Sequence, residues 1–343
     1  MSYLAGKIAI EARAAAPNMS NEADSEHGNA VAVKKLRRGR EVYPYVSAQA
    51  YRRWWRDTLS MVFEPSPVQL KGSGRRQQAN TEGAPHHYAD DDLFGYMVAI
   101  RGSERQRDTV VQTGTLRSVT PARPATDFGT MTRGHDSDPV LHSHEFFAGD
   151  LAADLLVDSA RLGVFTVGAG DRFSNITEDA AAEAEHDLGA ERVEFRGRVA
   201  VALPLEERRE RLAAFLEAVA ATRGGANRAL HYEDRTPAWV LLAPMKGGIN
   251  PFGRMIRADG DRTRIDGEVL AAEVDAWRDE LHGPLRIGWA PGYHVEQRDA
   301  FHRATRHLAD EGLLRLDHPR AVLRSLADEV RRGDADNLLR DHP

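Results

Sequence analysis

Residues 47–63 read SAQAYRRWWRDTLSMVF. At about 100° per residue, Tyr51, Trp55, Leu59 and Val62 share one narrow arc of a helix, with Trp54, Thr58 and Met61 flanking it. Gln49, Arg52, Arg53 and Arg56 fall on the opposite side. Ser47 is a good N-cap, and Pro65 and Pro67 stop the helix near Phe63. Trp54 and Trp55 read as core anchors, since large aromatics prefer burial. An arginine face is usually only solvated. Here, however, a hydroxyl, an amide and the unpaired N–H groups of a helix start stand beside Arg52 and Arg56, a combination suited to phosphate.

Outward from this helix, residues 3–15 alternate as a strand, with Ile8, Ile10 and Ala12 on one face. Residues 17–29 are polar and irregular, and 31–46 are basic and extended. Residues 64–90 read as a loop carrying the pair His86-His87. Strands are expected at 92–101, 109–119, 162–168, 239–243 and 285–289, with a partly helical stretch at 146–161. Pro204 opens an amphipathic helix to Thr222, which Gly224-Gly225 ends. Residues 266–281 are helical, and two more helices fill 297–333. Strand, helix, two strands around an insertion, helix, strand is a split βαβ order, the ferredoxin-like plan of an α+β protein.

The 343 residues suffice for one large domain or two ordinary ones, and 41% hydrophobic with 29% charged residues is a globular composition. No apolar run approaches the length of a membrane span, and MSYLAGKIAIEARAAAPN lacks the pattern of a signal peptide. Cysteine is absent, which removes disulfides and thiolate zinc sites and fits a cytoplasmic location. The net charge of −6 argues against nucleic acid when taken alone. Of the 46 basic residues only five are Lys, which leaves 41 Arg, as a GC-rich genome would give. The distribution is more informative. Residues 28–60 hold Lys34, Lys35, Arg37, Arg38, Arg40, Arg52, Arg53 and Arg56 against Glu41 and Asp57, a local +6 of the kind phosphates respond to.

The stretch at 28–59, GNAVAVKKLRRGREVYPYVSAQAYRRWWRDTL, resembles the DevR branch of the seventh Cas family. These are the RAMP-superfamily backbone subunits of CRISPR type I surveillance complexes (Cascade). The family pattern, a basic extended segment and then S-x-Q-x-x-[KR]-x-x-x-R, is matched by Ser47, Gln49, Arg52 and Arg56. DLFGYM at 92–97, HSHEFFAGDL at 142–151, ARLGVF at 160–165 and GGANRALHYEDRTPAWV at 224–240 agree in order and spacing. The resemblance implies a modified RNA-recognition palm with finger and thumb insertions, coating the spacer of a CRISPR RNA. Copies would stack head to tail, the target DNA strand would pair with the guide, and subunits of the fifth, sixth, eighth and eleventh Cas families would complete a type I-B particle. No cofactor, metal or membrane is implied.

On that reading, residues 1–101 form the first half of the palm with a finger segment at 64–90. Residues 102–149 are the thumb-like insertion, 150–255 the second half of the palm, and 256–343 a mostly helical C-terminal region. The expected RNA-binding residues are Lys34, Lys35, Arg37, Arg38, Ser47, Gln49, Arg52, Arg53, Arg56, Asn227 and Arg228. The expected thumb residues are Arg107, Arg117, Arg123, Phe128, Met131 and Arg133, with Phe128 or Met131 as an apolar wedge at a displaced base.

Two other functions compete. His135, Asp136, His142, His144 and Glu145 offer metal-ligand chemistry for a hydrolase, but without the i, i+4 spacing of H-E-x-x-H. A regulatory protein without nucleic acid is the third reading. Acid–base catalysis has raw material in Asp90-Asp91-Asp92, although such runs are normally solvated or cap helices, and Asp24 or Asp127 invites comparison with RNA-cleaving relatives. Type I members are not nucleases, so no catalytic residue is expected. The pairs Gly224-Gly225 and Gly247-Gly248 match no phosphate-loop pattern.

Overall fold

A computed structural model describes residues 2–20, 30–71, 78–99, 104–131, 140–168, 174–226, 228 and 231–341. The elements that matter here are strands β1 (Tyr3–Ala15), β2 (Ala30–Val33), β3 (Lys35–Arg38) and β4 (Glu41–Val46), followed by helices α1 (Ala48–Leu59) and α2 (Ala89–Phe94). Strands β5 (Val111–Thr113), β6 (Leu116–Ser118), β7 (Ala125–Met131) and β8 (Val140–Val157) lead to helices α3 (Glu178–Asp187) and α4 (Leu205–Ala220). Then come β9 (Trp239–Met245), α5 (Gly267–Ala276), β10 (Leu285–Trp289), α6 (Val295–Ala304), β11 (Leu314–Asp317) and α7 (Pro319–Arg332).

The main sheet runs β11-β10-β9-β1-β8-β6-β4-β3, with β5 also paired to β8. Its middle, β9-β1-β8 and then β5 or β6, is antiparallel throughout. With α1 between β1 and β5 and α4 between β8 and β9, this is the ferredoxin-like 4-1-3-2 sheet, as the split βαβ order predicts. The α+β class and the RNA-recognition type of palm are therefore present.

Period-two alternation decides which helices each face receives. Leu4, Ile8, Ile10 and Ala12 of β1, with Leu151, Leu155 and Val157 of β8, face α1, α4 and α7. Ala5 and Ala9 face the other way, toward Phe252, Leu270, Val274 and Phe301 of the C-terminal region. That region is mainly helical, but it is not a separate layer, because β10 and β11 extend the palm sheet. Trp54 and Trp55 are buried, with Trp55 edge-on to Phe215 of α4, as the helix wheel requires.

Four expectations need correction. Of residues 146–161, expected to be partly helical, only Ser159–Arg161 form a short 3-10 helix: up to Val157 helix-forming Ala and Leu continue β8, because both of its faces are covered and tertiary packing overrides propensity. Residues 92–94 are the end of α2, and a strand begins only at Tyr96. Gly224-Gly225 does not cap α4, which ends at Ala220 with Ala221 bonded to Glu217. The pair instead presses on α1, where a Cβ at Gly224 would overlap the Trp54 backbone and one at Gly225 the Arg235 guanidinium. Strand β11 lies in a stretch read as helical.

Asp90, Asp91 and Asp92 are not solvated: all three are buried in the first turn of α2. Asp90 accepts from the Ser66 backbone, Asp91 from Gly83 and Ala84, and Asp92 from Gly163 and Arg211. Each carboxylate thus fastens a different loop to α2.

Candidate nucleic-acid interface

The basic segment forms a hairpin at the sheet edge. Lys35 pairs with Pro44, Leu36 with Tyr43, Arg37 with Val42 and Arg38 with Glu41, which leaves β3 as the outermost strand. The chain passes from Val46 into Ser47, whose hydroxyl accepts from the Ala50 N–H at 3.3 Å and caps α1. Hairpin and helix start are therefore contiguous.

The arginines of α1 have different environments. Arg53 pairs with Asp57 one turn on, both exposed. Arg56 reaches the Asp90 carboxylate at 3.5 Å and lies 5.4 Å from the centre of the Phe94 ring. Arg52 is half-buried and has no ion pair or side-chain hydrogen bond among the described residues. Burial, and then the neighbouring Arg56 charge, hold its guanidinium below the ordinary arginine value. A cation that is partly desolvated, repelled and unpaired gains most from an incoming anion. Gln49 is exposed on the same helix start.

In the hairpin, Lys34, Arg37 and Arg38 likewise lack side-chain partners among the described residues, whereas Lys35 is held by Glu145 at 2.7 Å. Sequence reasoning missed the aromatics. Val46 and Leu116 enter the helix-side core, so their neighbours Tyr45 and Arg117, which are register partners, face the other side. Tyr43 lies on that face too, with Arg117 5.3 Å from its ring centre. Half-exposed tyrosines interleaved with Arg on one sheet face are side chains on which bases could stack. The signal was present as Tyr43-Pro44-Tyr45 flanked by Arg.

The expected thumb divides into two parts. Arg107 is buried, paired with Asp92, and donates to the Val164 carbonyl, so it belongs to the core and not to an RNA surface. Arg105 is bonded to the Gly83 and Glu82 carbonyls. The outlying piece is the β7–β8 hairpin, with Phe128 opposite Ser143 and 69% exposed. Arg123 is exposed at its root, beside a cleft of about 820 Å³ lined by Arg13, Phe146, Asp150, Arg262 and His294. Arg228 lies 6.0 Å from the Tyr232 ring and bonds the Arg223 carbonyl. Arg101, Arg133, Asn227, His135, Asp136 and Asp24 lie outside the described residues, as does the side chain of Met131.

Among the described residues, the alternation of β8 separates the members of the histidine cluster. His142 and His144 share a face, where His142 folds over Gly129 and the His144 ring lies 4.9 Å from that of His231, tilted by 55°. Glu145 points the opposite way, into Lys35 and the Val33 N–H. The trio cannot converge on one ion. Lys246, beside Gly247-Gly248, is bound to the Asp279 carbonyl at 2.6 Å.

No known protein family and no curated protein matches the sequence. Among solved structures, a chain described as "CRISPR RNA-guided surveillance complex" is similar with a TM-score of 0.54 and 14% identity, covering 95% of this chain and 98% of that one. Another, "CRISPR RNA-guided surveillance complex, pre-nicking", gives 0.50 and 13%, covering 96% and 100%. The likeness extends over both molecules from end to end, and at this identity what it shows is the fold.

Proposed function

We propose that this chain is a backbone subunit of a CRISPR type I surveillance complex, holding the guide RNA by its phosphates. The observation that carries this is Arg52, unpaired among the described residues and repelled by Arg56 along the capped helix α1, which follows the hairpin cations Lys34, Arg37 and Arg38 in the chain. Its fold is that of chains from RNA-guided complexes, which supports the same reading. Recognition would be of backbone and shape, with sequence left to base pairing. Tyr43 and Tyr45 supply stacking, and Phe128 on the β7–β8 hairpin supplies the wedge. Copies stack head to tail along the spacer, a heterologous contact that propagates as a helix, and the target DNA strand pairs with the exposed guide. The subunit itself cuts nothing, and the DevR-like segment favours type I-B.

Co-expression with its neighbouring genes and a CRISPR array tests this directly. A discrete RNA of spacer-plus-repeat length in a particle several times the chain mass is the expected product. Protein without RNA despite an intact array would overturn the reading and favour the regulatory alternative.

A further inference from the structure

A different cluster offers a metal site that the RNA-binding role does not use. His86, His87 and Glu183 bring one ligand atom each to within 4.8 Å of one another. The Nε2 atom of His86 lies 3.6 Å from a Glu183 carboxylate oxygen, and that of His87 lies 2.9 Å from the other. A zinc ion with bonds of about 2.0–2.2 Å at tetrahedral angles separates its ligand atoms by about 3.3–3.5 Å, so the His86 spacing is close to that of a formed site and the His87–Glu183 hydrogen bond need open only by about half an ångström.

Two further observations favour occupancy. His86 is 4% exposed, and neither of its ring nitrogens has a hydrogen-bond partner among the described residues. An imidazole buried in that way is costly unless something coordinates it. The turn is also fixed in advance: Arg211 donates to the Pro85 and His86 carbonyls, and Asp91 accepts from Gly83 and Ala84. The positive charge of Arg211 is already matched by Asp92 and Glu207. His87 and Glu183 remain exposed, which gives an ion a way in.

We propose that His86, His87 and Glu183 bind a divalent transition ion of the zinc class, stapling the 84–88 turn to helix α3. Glu183 stands on α3, whose core with the strands Val164–Thr166 and Arg198–Ala202 is distinct from the main one. The ion therefore ties a peripheral unit to the loop that leads into α2. Two imidazoles and a carboxylate leave a coordination position for water.

The test uses untagged full-length protein, stripped with chelator and titrated with Zn²⁺ alone. Calorimetry and elemental analysis should show about one ion per chain, with an unfolding midpoint that rises with the logarithm of the zinc concentration. His86→Asn risks misfolding at a buried position, so the deciding variants are the surface changes His87→Gln and Glu183→Gln. Loss of an outer-shell partner alone costs roughly tenfold in metal affinity, so each of these should lose at least that, and the double variant should bind none. A control, His142→Ala with His144→Ala, should bind normally. Absent binding, binding unchanged in the double variant, or binding lost in the control would each overturn the proposal.

Discussion

Arg107 and Asp92 meet in an ion pair that is 0% exposed on both sides. The same carboxylate takes Arg211 of α4 at 2.9 Å and the Gly163 N–H at 2.9 Å, so one buried anion joins α2, α4 and the loop before Val164. Removing Arg107 leaves Asp92 paired with Arg211, but it strips that carboxylate and the buried Val164 carbonyl of a donor, which costs about 1–3 kcal/mol. Arg107→Ala should therefore cost that much in denaturant unfolding, while the remaining folded protein keeps its RNA affinity. A stable Arg107→Ala protein with weakened RNA binding would return this residue to the interface.

Arg52 and Arg38 predict the opposite pattern. Neither holds a side-chain partner among the described residues, so Ala at both positions should leave the unfolding transition nearly unchanged. Each phosphate of single-stranded RNA that is no longer neutralised reduces the slope of log K against log salt by about 0.7, so the double variant should lose about 1.4. The reduction should be the same for unrelated guide sequences. Arg56→Ala should behave differently, because it also breaks the pair with Asp90. Burial already raises the Asp90 pKa, so removing Arg56 takes away the chief opposing charge and stability falls as well.

The sequence carried the elements whose pattern is local. The 47–63 wheel identified the buried Trp54 and Trp55, and the order of elements gave the ferredoxin-like palm. It did not carry β8, because Ala and Leu prefer helix and only the layers on both faces make 140–157 extended. Nor did it show that Arg107, one arginine among 41, is the one placed beside a buried carboxylate. His86-His87 looked like part of an irregular loop because Glu183, which brings the pair to account, is almost a hundred residues away. Of the residues proposed to bind RNA, contiguity through Ser47 was legible, but the unpaired state of Arg52 among the described residues is a property of its surroundings.

His294 and Asp150 make stability depend on pH in two directions. His294 donates to Asp150 at 2.8 Å, and that bond, against burial, raises the histidine pKa. Burial raises the Asp150 pKa, but the bonds from His294 and Thr263 outweigh it and leave it low. The histidine contribution is complete below its unfolded value of about 6.5 and is lost as pH rises through the raised folded value. The Asp150 contribution is present above its unfolded value of about 3.9 and is lost as pH falls through the depressed folded one. In chemical denaturation, the stability advantage of the wild type over His294→Gln should shrink from pH 6 toward pH 8, a difference in slope that isolates this pair. An unchanged slope in the variant would assign it elsewhere.

Phe128 gives the sharpest separation of folding from function. It stands opposite Ser143 on the β7–β8 hairpin and is 69% exposed, so it contributes little to the monomer. Phe128→Ala should change stability by no more than about 0.5 kcal/mol, the usual range for surface positions. If the ring stacks on a displaced base, its removal should cost about 1–3 kcal/mol of guide binding. A fluorescent adenine analogue placed along the guide should brighten periodically where bases are splayed in wild type, and that pattern should fade in the variant. Phe128→Trp keeps a stacking face and should restore it. Full affinity and an unchanged fluorescence pattern in Phe128→Ala would leave the β7–β8 hairpin without its wedge.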